Sequence, residues 1–238
     1  MHTILMKRAR WGAAGAAAAL LAGAAQAATI YSQSFESGAD GAWSGAGKVQ
    51  STEGLSSFGF GAQHMFNNTQ SASMLSLYGL VPHRSITLSF DLAIWDSVDG
   101  NPGPFPYGDR FQVVVDGKRI INQLFGNFGT PDGKSLGPGT VIVENTMNLG
   151  YYSGWVDSAR AVSVTFAHSA ANASLSFLFP NSEGGTNEAF GIDNVRVSTH
   201  PVPEPGSVAL MALGLVVLTA VVRRRTSTSP VNLSISSA

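Results

Sequence analysis

The fold is decided by the stretch Ser85-Ile-Thr-Leu-Ser-Phe-Asp-Leu-Ala-Ile-Trp95. Every second residue from Ile86 is large and apolar: Ile86, Leu88, Phe90, Leu92 and Ile94. Thr87, Ser89, Asp91, Ala93 and Trp95 occupy the alternate positions. Side chains on a strand alternate between faces, so this is a strand with one face in a core. Further along, Phe111, Val113 and Val115 form a second apolar row. Asp116-Gly117 supplies a two-residue turn of the type I′ kind, and the chain returns through Lys118 to Leu124. Residues 141–148, 162–166 and 175–179 continue the pattern. Phe190 and Ile192 share one phase and Val195 and Val197 the other, which predicts a β-bulge at Asp193-Asn194. Segments rich in Gly, Asn, Ser and Pro separate the runs, and residues 126–140 read as one long loop. Many short strands joined in this way predict an all-β domain over residues 28–200, a β-sandwich or jelly roll. The strand faces show no aromatic girdle of the kind an outer-membrane barrel carries.

Composition narrows the function classes. The 238 residues include 27 Gly, 11 Pro and no Cys, which removes disulfide scaffolds, Cys-ligated zinc, Fe–S clusters and thiol catalysis. Charged residues make up 12%, too few for a coiled coil. The formal net charge of −1 hides an asymmetry. Lys7, Arg8 and Arg10 open the chain, and Arg223, Arg224 and Arg225 lie near its end. Setting these and Glu204 aside leaves eight basic against fourteen acidic residues in the body, a net of about −6. An acidic body repels phosphate backbones, so no nucleic-acid partner is expected.

Both ends read as addresses. Lys7, Arg8 and Arg10 form a cationic n-region, residues 12–24 an Ala/Leu-rich apolar run, and Ala25-Gln26-Ala27 a small–x–small cleavage pattern. Residues 1–27 are therefore expected to be a signal peptide, cut by signal peptidase between Ala27 and Ala28. Residues 207–222 (SVALMALGLVVLTAVV) carry no charge. As a helix they reach roughly 24 Å, slightly under a hydrocarbon core near 30 Å, with snorkelling arginines covering the deficit. The Arg triplet follows at once, as expected for a cytoplasmic flank. The expectation is a single transmembrane helix with the body outside, and a polar, disordered tail over 226–238.

Immediately before that helix stands Val202-Pro203-Glu204-Pro205. Both prolines fix φ and lack N–H donors, so the segment stays extended. Pro-Glu-Pro, an apolar helix and a short Arg cluster together resemble the PEP-CTERM protein-sorting signal of Gram-negative bacteria, over about residues 202–225. The resemblance implies recognition through Pro203, Glu204, Pro205, Arg223, Arg224 and Arg225 by an exosortase-type membrane peptidase. It also implies transient inner-membrane anchoring and a surface or extracellular destination linked to exopolysaccharide and biofilm. The chain departs from the usual pattern by continuing past the Arg cluster.

Within the body, Asp96, Asp99 and Asp109 cluster around the loop that joins the two clearest strands. Hard cations such as Ca²⁺ take oxygen ligands of this kind, although the spacing is not an EF-hand and solvated turn acids would look the same. The segments SFDLAIWDSVDG, GDRFQVVVDG and FGIDNVRV resemble jelly-roll domains of secreted bacterial proteins, many of them lectin-like. That resemblance implies that Glu36 and Asp193 share a structural Ca²⁺. For glycan binding, Trp95 and Tyr107 are the candidate platforms, the alternative being aromatics packed beneath loops. No GxSxG or HExxH occurs, and no catalytic constellation is legible. The expected function is thus a non-enzymatic exported surface or matrix protein, binding glycans with help from calcium. The alternatives are a secreted glycan-active hydrolase on the same fold and a purely structural matrix protein.

Overall fold

The computed structural model describes residues 27–52, 54–99, 108–125, 127, 140–149, 156–180, 182–185, 187–202 and 205–226. Residues 1–26 of the expected signal peptide, 128–139 of the expected long loop, Tyr107, Pro203, Glu204 and 227–238 of the expected tail lie outside them. Residues 26–202 form one compact unit, and the C-terminal helix belongs to another.

Twelve strands build the body: β1 (Ala28–Gln33), β2 (Trp43–Gly45), β3 (Lys48–Ser51), β4 (Gln63–Asn67), β5 (Ser73–Leu77), β6 (His83–Asp96), β7 (Asp109–Val115), β8 (Lys118–Phe125), β9 (Thr140–Met147), β10 (Asp157–Ala167), β11 (Ala173–Leu178) and β12 (Glu188–Pro201). They form two antiparallel sheets, as the alternation predicts. The larger has seven strands in the order β3-β4-β12-β6-β10-β9, with β1 also paired to β12; the smaller has five in the order β2-β5-β11-β7-β8. β1 begins at Ala28, the residue that the expected cleavage would leave at a new N-terminus.

The long strands β6 and β12 pair from Pro201↔His83 to Glu188↔Asp96. The inward row of β6 is Ile86, Leu88, Phe90, Leu92 and Ile94, all buried. It meets Phe111, Val113, Phe177 and Phe179 in the main core. Aromatic edges fill the space between sheets: the Phe111 ring centroid lies 5.3 Å from Phe190, 5.7 Å from Phe179 and 6.1 Å from Phe90. Such contacts combine large buried area with favourable edge geometry.

The local irregularities follow from residue chemistry. Asp116 and Gly117 have φ of 49° and 81°, as a type I′ turn requires, and they close the β7–β8 hairpin. The β6–β12 register shifts between Asp193 and Arg196, and Asn194 sits at φ 49°, which is the bulge the phase change predicts. Alternation on β6 stops after Leu92, where both faces become buried. The second face belongs to a smaller cluster of Leu55, Phe60, Phe66, Ala93, Trp95, Leu149, Ala159 and Ala189, roofed by the segment around the short 3-10 helix Ser56–Phe58. His64 lies within it at 1% exposure, with Phe60, Phe66 and Trp95 around its ring and no hydrogen bond to either nitrogen. Burial lowers its pKa to about 4, so it is neutral at ordinary pH. Gly191 is required here, because a Cβ would collide with the Trp95 indole and the His64 ring.

Helix α1 spans Pro205–Thr226, 22 residues that include the expected apolar segment. Its side chains are described over 212–223, with Leu213, Val216 and Val222 among those exposed. Among the described residues no helix is long and apolar enough to cross a membrane. The reading of 207–222 as a transmembrane span therefore goes further than the structure shows.

Replacing Phe111 by Ala should destabilise the sandwich by about 3–5 kcal/mol in urea unfolding, since no neighbour can fill the ring's volume. Ser163→Ala, on the exposed face of β10, should stay within about 0.5 kcal/mol.

Candidate functional site

The main acidic site lies where β6, β7 and β12 come together at one end of the sandwich. Asp99 follows β6, Asp109 opens β7 and Glu188 opens β12. Two hydrogen bonds tie the first pair: the Asp99 N–H donates to Asp109 Oδ2 at 2.7 Å, and the Asp109 N–H donates to the Asp99 carbonyl at 2.9 Å. One carboxylate oxygen from each of Asp99, Asp109 and Glu188 lies within 4.8 Å of the others. Exposures are 5%, 5% and 1%. Among the described residues, no other trio of acidic or His side chains converges this closely.

The electrostatics of this trio are unfavourable to charge. Burial, followed by the Asp109 carboxylate, pushes Glu188 up to about 8, although the Glu183 N–H donating to its Oε2 at 2.6 Å pulls the other way. Burial pushes Asp109 to about 6, with Asp99 and Glu183 adding to the rise. Asp99 is raised by burial and then by Glu183. Glu188 and Asp109 share a side-chain hydrogen bond that favours the proton on Glu188. Among the described residues, the charges that raise these three groups are carboxylates, and protons or a cation would relieve such a cluster. An all-oxygen set of three carboxylates suits a hard ion such as Ca²⁺.

Asp99 and Asp109 were legible as cation-ligand candidates, and Glu188 was missed. Its signal was present: Glu188 and Asp109 continue the inward phases of Phe190 and Phe111, where a carboxylate needs a partner. Asp96 belongs elsewhere. Its N–H donates to Asp157 Oδ1 at 2.8 Å, and Asp157, pushed to about 6 by burial, also accepts from the Leu149 N–H.

The residues implied by the jelly-roll resemblance do approach one another. Asp193 accepts from the Gly61 N–H at 2.8 Å and from the Asn194 N–H at 2.7 Å, while Glu36 accepts from the Gln63 N–H at 3.3 Å. A Cβ on Gly61 would run into the Glu36 carboxylate and come within 3.6 Å of Asp193 Oδ2. Burial first, then Glu36 and Asp91, raises Asp193 to about 6 despite its two N–H donors. This pair is more open than the trio, because Glu36 is exposed.

Next to it, an open trough of about 450 Å³ crosses the outer face of the larger sheet. Register places Ser163 opposite Ser89 and Ala161 opposite Asp91, so small side chains form its floor. Asn194, held at the bulge, reaches in with Nδ2 donating to Asp91 Oδ2 at 2.7 Å and to the Gly59 carbonyl at 2.9 Å. Burial raises Asp91, and the Asn194 amide opposes this. Trp95 is not available as a platform: it lies on the outer phase as read, but the segment bearing Leu55 and Phe60 covers it to 3% exposure.

The fold and these sites define an all-β sandwich head with a clustered-carboxylate end, followed by a C-terminal helix. Residues 201–225 match the PEP-CTERM protein-sorting motif, so the chain carries that sorting signal, which implies export and processing by an exosortase. No curated protein sequence matches the chain. Among solved structures, the head is similar to the CBM22-1 xylan-binding domain of Paenibacillus barcinonensis Xyn10C, at 13% identity and a TM-score of 0.39, covering 74% of this chain and 97% of that one. It is also similar to TmCBM61 in complex with β-1,4-galactotriose, at 11% identity and a TM-score of 0.38, covering 69% and 93%. A family GH115 4-O-methyl-α-glucuronidase with specificity for decorated arabinogalactans matches at 13% identity and a TM-score of 0.40, covering 74% of this chain and 18% of the enzyme. These likenesses are distant, and the sandwich architecture stands on the strand pairing above.

The raised carboxylates carry a defined sign. A group with a folded pKa above its unfolded value contributes stability that is present below about pH 4.5 and is lost as pH rises through the folded pKa. With EDTA present, the thermal midpoint should fall between about pH 5 and 8, as Asp109 near 6 and Glu188 near 8 give up protons. Glu188→Gln should flatten the upper part of that decline, toward pH 8, and leave the part near pH 6 to Asp109, Asp157 and Asp193.

Proposed function

We propose that the protein is an exported cell-surface or matrix component whose sandwich head binds glycans and is braced by Ca²⁺ at Asp99, Asp109 and Glu188. Export rests on the sorting signal at 201–225. In this reading the helix over 207–222 is a transient tether, released when exosortase cuts near Pro203-Glu204-Pro205. The observation that carries the glycan part is the trough. Its lining of Ser89, Asp91, Ser163 and Asn194 offers hydroxyl, carboxylate and amide groups on a floor of small side chains. A carboxylate can accept from two neighbouring sugar hydroxyls, and charge-assisted bonds of that kind are the stronger ones. The hydrolase alternative needs two carboxyl groups facing across a sugar, and among the described lining residues the trough holds one, Asp91. The trio at the other site is 5% exposed or less, which suits a buried brace better than a substrate-facing pair.

The test uses protein recovered from the medium or surface of producing cells. Its intact mass reports both terminal cuts, and glycan-array binding followed by titration calorimetry reports the head. Binding to the producer's exopolysaccharide is expected, weakened about tenfold or more by Asp91→Ala. An uncut mass would remove the sorting part; flat binding with and without EDTA would remove the glycan part. Release of free sugar from the polysaccharide would favour the hydrolase.

A further inference from the structure

The outer face of the larger sheet carries two polar rows of opposite character. Register aligns Thr29 of β1, Ser198 of β12, Thr87 of β6 and Thr165 of β10 across four strands. These hydroxyls bond one another: Thr29 Oγ1 and Ser198 Oγ lie 3.2 Å apart, and Thr87 Oγ1 and Thr165 Oγ1 lie 2.7 Å apart. The neighbouring row aligns Ser32, Arg196, Ser89 and Ser163 across the same strands and ends in the trough, which Ser89 and Ser163 line. Among the described residues, none of these four side chains makes a hydrogen bond or ion pair to the protein. The first row has spent its polar groups internally, and the second has not.

Arg196 is the one charged member of that row. It is exposed, while Val195 and Val197 on either side of it are buried, so its guanidinium stands on the outer face. Directly opposed residues of an antiparallel pair have Cβ atoms about 5 Å apart, so the Arg196 stem starts beside Ser89 at the edge of the trough. The trough's own carboxylate, Asp91, accepts from the Asn194 amide at 2.7 Å and does not pair with Arg196. In a body with a net charge of about −6, a cation without a carboxylate partner beside a floor of free hydroxyls is an imbalance that a ligand can fill. We propose that Arg196 makes this face selective for carboxylated glycans, with a uronate carboxylate seated on the guanidinium between the Ser32 and Ser89 hydroxyls. The inference rests on the glycan reading of the trough and names the ligand class of that same site.

The chemistry of the row favours a carboxylate over a neutral sugar. A guanidinium presents a planar fork that donates two parallel N–H bonds to a carboxylate, and both bonds are charge-assisted. The serine hydroxyls on either side can each donate one more. A neutral sugar offers this row only hydroxyls and leaves the guanidinium to water. The placement is also directional. Ser89 and Asp91 are two residues apart on β6, roughly 7 Å, so contacts to Arg196 and to Asp91 fall to neighbouring parts of one chain. A uronate carboxylate on Arg196 leaves ring hydroxyls for Asp91, whereas the reverse placement sets carboxylate against carboxylate.

The test titrates protein recovered from producing cells with the producer's exopolysaccharide, before and after carboxyl reduction. Reduction turns each uronate carboxylate into a primary alcohol and keeps the sugar backbone. The wild type should bind the native polymer about tenfold or more tightly than the reduced one. Added salt should narrow that gap, because the contact is exposed to solvent. Arg196 lies outside the core, so its replacement leaves the fold in place. Arg196→Gln should bind both polymers equally, at the level of the wild type on the reduced form. Arg196→Lys keeps the charge without the fork and should restore only part of the preference. Equal binding of native and reduced polymer by the wild type, or a preference that survives Arg196→Gln, would overturn the inference and leave the glycan reading of the trough standing. No binding to either form would remove that reading, and the inference with it.

Discussion

The pairing of β6 with β12 is the constraint from which the rest of the head follows. Both strands are 14 residues long, and their antiparallel register runs from His83 to Asp96. At the rise of an extended chain that ladder is roughly 40 Å long, enough to reach both ends of the sandwich. Its inward row of Ile86, Leu88, Phe90, Leu92 and Ile94 faces Phe111 and Phe177 of the smaller sheet. Its outward row floors the trough near Ser89 and Asp91, then disappears under a roof at Ala93 and Trp95. One ladder thus provides a core face, an open polar face and a covered aromatic face.

The two ends of the ladder handle buried ionisable groups in opposite ways. At Glu188 and Asp109 the neighbouring charges are carboxylates, and each raises the cost of ionising the next. Such a cluster is relieved by protons or by a cation. At His83 and His168 the outer partners are acceptors, the Val81 carbonyl on one side and the Asp116 carboxylate on the other. Both ends couple sheet to sheet: Asp109 and Asp116 belong to the β7–β8 hairpin of the smaller sheet, while Glu188, His83 and His168 belong to the larger. The layers of the head are thus joined by polar groups at two places, one at each end of the ladder.

Features governed by local rules were legible in the sequence. The alternation of β6, the Asp116-Gly117 turn and the bulge at Asp193-Asn194 each depend on a few adjacent residues. The early strands were harder to read. β3 has only Val49 as an apolar residue, and β4 is buried on both sides through His64, Met65 and Phe66, so neither alternates. Alternation places Trp95 on the outer face, but periodicity does not reveal that the chain around Leu55 and Phe60 returns to cover it. The carboxylate trio was two-thirds legible. Asp99 and Asp109 stood out as loop acids, whereas Glu188 comes from a distant segment that only the β6–β12 register brings alongside them.

Hydrogen exchange on the full-length protein, with calcium and with EDTA, tests most directly whether this ladder and its acidic end organise the head. The amides of Leu88, Phe90 and Leu92 should be the slowest in both conditions, and calcium should slow those of Asp99, Asp109 and Glu183 selectively. A ladder that exchanges as fast as the edge strands, with no calcium-dependent slowing at the trio, would contradict the account.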